Sequence, residues 1–407
     1  MADSPITRHE RHLLWLLAAV QFTHLVDFMI LMPLGPELLQ QFGLSAAGFG
    51  AMVSAYTLAS AAMGLLGVLW LDRWDRKHAF LLLYAGFVAA TVSCGFAASP
   101  TWLLLSRIMA GACAGLMSAV VMAILADRVP AERRGRAIGT VMSAYGISAV
   151  VGVPLGVSIA SRWGFRAPFW VIGALAFVLW LLAWRMLPAV DHHLARAREE
   201  GPNPPAPALW APGHLLGWGL TFSVVFAGFL LIPYLSTFMV GNLGLRLSDL
   251  SWVYLCGGAA TLFSARWIGH LSDRHGPPRV LGSLLVAALG PYLLFTHISA
   301  SPKAVVAACF VLFMTLNSGR AIPTIALITA RVPPALRGRY LSVNMAASDG
   351  ASGLAAWTSG HFITTTPDGA LIGFGRMGFL AASISLLAVC ILWVLGRNVV
   401  PQRAAHT

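Results

Sequence analysis

The chain is punctuated into apolar runs of about twenty residues, the length at which an α-helix crosses the hydrocarbon core of a bilayer. Twelve such runs can be counted. The first six lie near 12–34, 47–71, 78–97, 101–126, 137–160 and 166–187; the second six lie near 213–240, 247–272, 279–298, 303–329, 339–362 and 373–396. Hydrocarbon offers no water to backbone amides, so spans of this kind must satisfy their own hydrogen bonds as helices. Composition agrees, with 58% hydrophobic and only 10% charged residues. Soluble domains carry about 25% charged residues. The expected class is an all-α membrane protein of twelve transmembrane helices.

Between the two sets of six lies the polar stretch Asp191 to Ala211, which contains the proline-rich run Pro202-Asn203-Pro204-Pro205-Ala206-Pro207. It reads as a linker. The expected units are an N-terminal bundle over 1–187, a cytoplasmic linker over 188–212 and a C-terminal bundle over 213–407. Met1 to Glu10 lacks the basic start and small-residue cleavage site of a signal peptide, so the first run is expected to be retained.

The net charge of +12 does not indicate nucleic acid, because the basic residues gather in short loops. Of the 27 lysines and arginines, 19 fall at the termini or in the loops after spans 2, 4, 6, 8 and 10. Five fall on the opposite side (Arg162, Arg166, Arg246, Lys303 and Arg376), and Arg107, Arg266 and Arg320 fall within spans. This asymmetry predicts that both termini are cytoplasmic. Cys94, Cys113, Cys256, Cys309 and Cys390 all sit in apolar runs without metal-ligand spacing. They are read as packing residues, so neither a disulfide nor a metal site is expected.

The halves repeat. Asp127-Arg128-Val129-Pro130-Ala131-Glu132-Arg133-Arg134-Gly135-Arg136 after span 4 is echoed by Ala330-Arg331-Val332-Pro333-Pro334-Ala335-Leu336-Arg337-Gly338-Arg339 after span 10. Asp72-Arg73 after span 2 is echoed by Asp273-Arg274 after span 8. Both copies have the same orientation. Parallel repeats of this kind give two six-helix bundles related by a pseudo-two-fold axis along the membrane normal, with a substrate site near the midplane.

With these repeats the chain resembles the major facilitator superfamily, and in particular its drug:proton antiporter-like efflux branch. In the loop after span 2 that family has G-x-x-x-D-R-x-G-R-(R/K). Asp72, Arg73, Arg76 and Lys77 match it, while Val68 and Asp75 replace the glycines. The second copy, around Asp273 and Arg274, keeps both glycines but has Pro277-Pro278 in place of the basic pair. Arg107-Ile108-Met109-Ala110-Gly111 matches R-x-x-Q-G apart from Ala110. Gly152, Pro154 and Gly156 resemble the glycine-proline motif of the antiporter branch, and His24-Leu25-Val26-Asp27-Phe28 resembles its Asp-bearing first helix. The resemblance implies a monomeric secondary transporter without a cofactor, in the bacterial cytoplasmic (inner) membrane. Its implied partners are a small-molecule substrate, protons and the lipid bilayer. The loop residues Asp72, Arg73, Arg76, Lys77, Asp273 and Arg274, with Gly152, Pro154 and Gly156, would govern its conformational change.

Of the fifteen acidic residues, only Asp27 and Asp349 fall well inside spans. A carboxyl at that depth is expensive and normally faces a partner or a cavity. Depth along the helices pairs Asp27 with Arg107 in one half and Asp349 with Arg320 in the other. Asp27 and Arg107 form either a fixed ion pair or a proton-exchanging one, with His24 as a relay or a simple hydrogen-bond partner. Phe28, Tyr56, Tyr145, Asn317, Arg320, Asn344 and Asp349 are the candidate cavity residues. Trp70, Trp102, Trp163, Trp210 and Trp218 lie near span ends and suit an interfacial belt.

No nucleotide-binding loop, nucleophile elbow or H-E-x-x-H motif is present, so no enzyme is expected. The function expected from the resemblance is proton-coupled efflux of a small organic compound by alternating access. The alternatives are uptake or facilitation of a metabolite and a non-transporting membrane sensor of the same fold.

Overall fold

The computed structural model describes residues 8–70, 75–130, 133–187, 210–299, 301–333 and 336–397. The first span is α1 (Arg8–Ile30) continued by α2 (Gly35–Phe42), followed by α3 (Ala46–Trp70), α4 (Arg76–Gly95) and α5 (Pro100–Arg128). The fifth span is α6 (Arg134–Ile147), a π-helical stretch (Ser148–Gly152) and α7 (Val153–Trp163); α8 (Arg166–Met186) is the sixth. The second half begins with α9 (Pro212–Phe229), a 3-10 turn (Ile232–Tyr234) and α10 (Leu235–Gly241), then α11 (Leu247–His275). The ninth span is α12 (Pro277–Ala287) with α13 (Leu289–His297), and the tenth is α14 (Lys303–Gly319) with α15 (Ala321–Thr329). The last two are α16 (Arg337–Phe362) and α17 (Phe374–Arg397). Before α17, β1 (Thr364–Thr365) and β2 (Leu371–Ile372) form a small antiparallel pair at the end of the bundle remote from the termini.

The breaks within spans follow from proline. A proline lacks the N–H that would reach the carbonyl four residues earlier. Helix α9 ends at Phe229, four before Pro233; α12 ends at Ala287, four before Pro291; and α14 ends at Gly319, four before Pro323. In the fifth span Pro154 follows Val150, and there the helix widens to π geometry over Ser148–Gly152. After the turn at residues 31–34, which contains Pro33, the short helix α2 carries helical chain on to Phe42, beyond the expected end of the run at residue 34.

Among the described residues, ten helices are long and apolar enough to cross a bilayer. The other two spans, α11 and α16, have 29 and 26 residues, so length is not what sets them apart. Helix α11 is more polar because it carries Asp249 near one end and Arg266, His270, Asp273, Arg274 and His275 toward the other, and α16 because its small and polar residues meet protein. Helix α16 buries Asn344, Ser352, Gly353, Ala356, Ser359 and Gly360. It packs on α3 of the other half, while α11 packs on the fifth span. These two crossed contacts join the bundles, and the fold is the expected two sets of six.

The seam between the bundles is asymmetric along its length. At the end remote from the termini, hereafter the far end, Tyr234 Oη donates to the Ala46 carbonyl at 2.8 Å. A Cβ on Gly50 would meet the Ala356 carbonyl at 2.6 Å, and nearer mid-span one on Gly258 would meet the Ala149 carbonyl at 2.6 Å. Towards the termini, Gly64, Gly135, Gly139, Gly269 and Gly338 have no such neighbour in the opposite bundle. Ile138, Met142 and Tyr145 of α6 are exposed there. The conformer is therefore closed at the far end and open toward the termini.

The repeat seen in the sequence also recurs in local bonds. Arg134 Nε donates to the Val129 carbonyl at 3.0 Å, and Arg337 Nε donates to the Val332 carbonyl at 3.1 Å. Each arginine turns back on the short segment that leads into its span.

Candidate functional site

Asp27 lies on α1, three residues from the helix end at Ile30. Arg107 lies on α5, and its Nη1 donates to Asp27 Oδ2 at 2.8 Å and to the Asp27 carbonyl at 3.2 Å. Both side chains are 0% exposed. The pair is thus sealed from the open end in this conformer and does not face a water-filled cavity. Asp27 Oδ1 and Arg107 Nε and Nη2 make no further hydrogen bond among the described residues. Thr91 and Cys94 of α4 stand beside the pair.

Tyr56 of α3 forms the third wall. The Arg107 guanidinium lies 4.3 Å from its ring centroid, a cation–π contact. Its hydroxyl meets His24 Nδ1 at 3.4 Å. His24 therefore bonds to Tyr56 and makes no bond to Asp27. Phe28 stacks on Tyr56 at 5.3 Å and on Phe229 of α9 at 6.2 Å. That aromatic row runs from one bundle to the other. Close approach of α3 and α5 is what brings Tyr56 over Arg107. Gly111 and Gly115 face the Tyr56 and Ser60 carbonyls too closely to admit any side chain.

The glycine-proline motif backs α1. Cβ atoms on Gly152 and Gly156 would collide with Val26 and Ile30, which flank Asp27 in sequence. Pro154 opens α7 immediately after the π stretch. These three residues fix how closely the fifth span can approach the helix that carries Asp27.

The second half differs from the expectation. Arg320, 1% exposed, does not pair with Asp349. Its Nη2 bonds to Asn317 Oδ1, its Nε donates to the Asn317 carbonyl at 3.2 Å, and its guanidinium lies 5.5 Å from the Tyr292 ring. Asp349 instead accepts a 2.6 Å hydrogen bond from Ser60 Oγ of α3. Depth along a helix says nothing about azimuth, and the two side chains leave their helices in different directions. Asn344 is buried, with no bond to its Oδ1 among the described residues. Tyr145 is 52% exposed at the open seam. The sequence reading missed Ser60 and Phe229. Ser60 stands one helical turn after Tyr56 on the same face, and that spacing was the available signal.

Among the loop residues, Arg76 Nε pairs with Asp127 Oδ2 at 2.7 Å and ties α4 to the end of α5. Asp72 and Arg73 lie outside the described residues. Lys77 is partly exposed, and Asp273 and Arg274 are exposed at the end of α11. Asp75, in place of a motif glycine, caps α4 by accepting the His78 N–H at 2.9 Å. Burial works against its ionisation, but bonds from the His78 amide and ring and the Lys77 amide outweigh that and hold the carboxyl below its usual value. Asp75→Ala is expected to lower stability by about 1 kcal/mol, read as a fall in melting temperature in detergent. The folded value is the lower one, so the contribution is present at neutral pH and fades as the pH drops through the ordinary carboxylate range. Trp102, Trp163 and Trp210 are exposed, but Trp218 is 7% exposed and stacks on Tyr340 at 5.2 Å. It is a packing residue of the second bundle and not part of a belt. The side chain of Trp70 lies outside those described.

Two parallel six-helix bundles, a seam open at one end and a buried charge pair beside it define a multi-pass membrane transporter. The family model of the Major Facilitator Superfamily matches residues 17–356 and 217–406, and the chain belongs to that family. It is 27% identical over 373 residues to an uncharacterised MFS-type transporter, YceJ, of Bacillus subtilis, covering 90% of this chain and 93% of that one. It is 28% identical over 392 residues to a chloramphenicol resistance protein of Streptomyces lividans, covering 93% and 94%. In fold it is similar to a bacterial homologue of the human lysosomal transporter Spinster in an inward-facing and occupied conformation. That match has a TM-score of 0.77 at 18% identity and covers 96% and 97% of the two chains. It is also similar in fold to a D-xylose-proton symporter, with a TM-score of 0.72 at 15% identity and coverage of 93% and 96%.

Proposed function

We propose that the protein exports a small organic compound in exchange for protons, by rocking one bundle against the other. The observation that carries this reading is the Asp27–Arg107 pair, sealed at 0% exposure between α1 and α5. A buried carboxylate with a single cationic partner can change its protonation when helix movement alters that contact. The aromatic row Tyr56–Phe28–Phe229 joins the pair's surroundings to the second bundle, and its half-buried members Phe28 and Phe229 offer apolar surface to an organic substrate. The direction, export, is supported by the likeness to the chloramphenicol resistance protein. The charge bias of 19 basic residues against five supports cytoplasmic termini,. The open end would then face the cytoplasm of a cell whose inner membrane holds the protein as a monomer. Residues 188–212 serve as the cytoplasmic linker between bundles 1–187 and 213–407.

The test uses purified protein in liposomes, with chloramphenicol as the first compound. Candidate substrates are ranked beforehand by thermal shift at two pH values, since a ligand of the folded state raises the melting temperature. An acidified lumen is expected to drive accumulation of the compound, and a protonophore is expected to abolish it. Flux that ignores the pH step would remove proton coupling, and accumulation driven by an alkaline lumen would favour uptake.

A further inference from the structure

The bond from Ser60 to Asp349 joins the two bundles at the point where the closed part of their seam ends. From the far end inward, Gly360 packs on Ala46 and Ala47, Ala356 on Gly50, Gly353 on Thr57 and Leu58, and Asp349 on Ser60. The next glycine on α3, Gly64, directs its Cβ position to Gly115 of its own bundle, with no α16 atom within 4 Å of it. Asp349 lies about 18 Å along α16 from Arg337, near mid-membrane. It is partly exposed, unlike the sealed Asp27.

Among the described residues no basic side chain pairs with Asp349, and Ser60 is the only side chain bonded to it. The helices packed on α16 supply no neutralising charge. Helix α3 carries Tyr56 as its one titratable residue. Helix α9 carries His214, which meets Tyr340 more than two turns away from Asp349. Helix α17 carries Arg376, Cys390 and Arg397, the two arginines at its ends. On α16 itself, Arg337, Arg339, Tyr340 and His361 all lie at least nine residues away. Tyr56 is within electrostatic reach of Asp349 and of the Asp27–Arg107 pair, with Cys113 of α5 nearby. A hydroxyl bond to an ionised carboxylate is about twice as strong as one to a neutral acceptor. An uncompensated carboxylate at this depth therefore gains from the contact only while α3 and α16 stay together.

We propose that Asp349 is the group through which protonation controls contact between the bundles. Ionised, it holds the Ser60 hydroxyl and keeps α3 closed on α16; protonated, it lets the far end open. This places a second proton-exchanging residue on the seam itself, one that acts on the conformational equilibrium with no substrate present.

The test is a spin-label distance measurement in nanodiscs on the full chain with its five cysteines replaced by alanine. Labels are placed at the exposed far-end positions Gln41 and Asp368. Lowering the pH from about 8 to about 5 is expected to raise the ratio of long to short distances about tenfold in this parent. Asp349→Asn keeps an acceptor oxygen but cannot ionise, and is expected to show the long distance at both pH values. Ser60→Ala is expected to raise the long-distance population at the higher pH, and Ser60→Thr, which restores the hydroxyl, to return it to the parent's. A pH response that survives Asp349→Asn, or a Ser60→Ala distribution equal to the parent's, would overturn the proposal.

Discussion

Asp27→Asn is expected to fold, to bind substrate and to exchange it across the membrane, yet to lose all accumulation driven by a pH gradient. The amide oxygen can still accept from Arg107 Nη1, and the second bond, from Arg107 to the Asp27 carbonyl, is untouched. The Tyr56 ring remains beneath the guanidinium. What disappears is the only group of the pair that can release and take up a proton, since a guanidinium stays charged in proteins. Substrate counterflow needs the bundles to rock but needs no net proton movement. Measuring counterflow and gradient-driven accumulation in the same liposomes separates a coupling defect from a folding defect. Loss of both would make Asp27 a structural residue, and retention of both would remove it from the proton path. A melting temperature lower than that of the parent is expected, because the sealed guanidinium then lacks its counter-charge.

The spans were readable because lipid is the solvent for most of the surface, so hydrophobicity alone marks them. Of the two spans that stand out least, α16 spends its surface on the other bundle and α11 carries charged and polar residues toward its ends. The small and polar residues of α16 look weak by a criterion that assumes lipid on all sides. Helix breaks were also written in the chain, at Pro233, Pro291 and Pro323, each acting on the carbonyl four residues earlier. The sequence reading treated those spans as continuous because it counted only their length.

The contacts between charges divide differently. Asp27 and Arg107, matched in depth within one bundle, do meet, because α1 and α5 pack on each other. Arg320 and Asp349 satisfy the same depth rule and do not meet. Arg320 stands at the break between α14 and α15, where its own carbonyl accepts from Thr324 Oγ1 at 2.7 Å and its side chain turns back on Asn317. The Ser60 bond to Asp349 spans 289 residues and depends on how two bundles close. No periodicity within one helix specifies such a contact. It becomes visible only once the seam is assembled.

The buried pair should also answer asymmetrically to the loss of either member. Removing one partner of a sealed ion pair typically destabilises by about 3–5 kcal/mol, because the survivor is a charge without compensation. The two survivors here have different escapes. After Arg107→Leu, the carboxyl of Asp27 can shed its charge by taking up a proton, as isolated buried acids do. After Asp27→Leu, Arg107 has no such route and keeps its charge at any pH in which the protein folds. Asp27→Leu is therefore expected to be the more destabilising change, with a deficit that does not vary with pH. The deficit of Arg107→Leu should shrink as the pH is lowered. Because the uncompensated charge is absent from the double variant, Asp27→Leu with Arg107→Leu should melt closer to the parent than Asp27→Leu alone. Melting temperatures of the four proteins in detergent, taken at several pH values, complete the cycle. Additive losses in the double variant would mean that the two side chains do not act as a pair. Equal, pH-independent losses in the single variants would mean that Asp27 cannot reach a proton when its partner is gone.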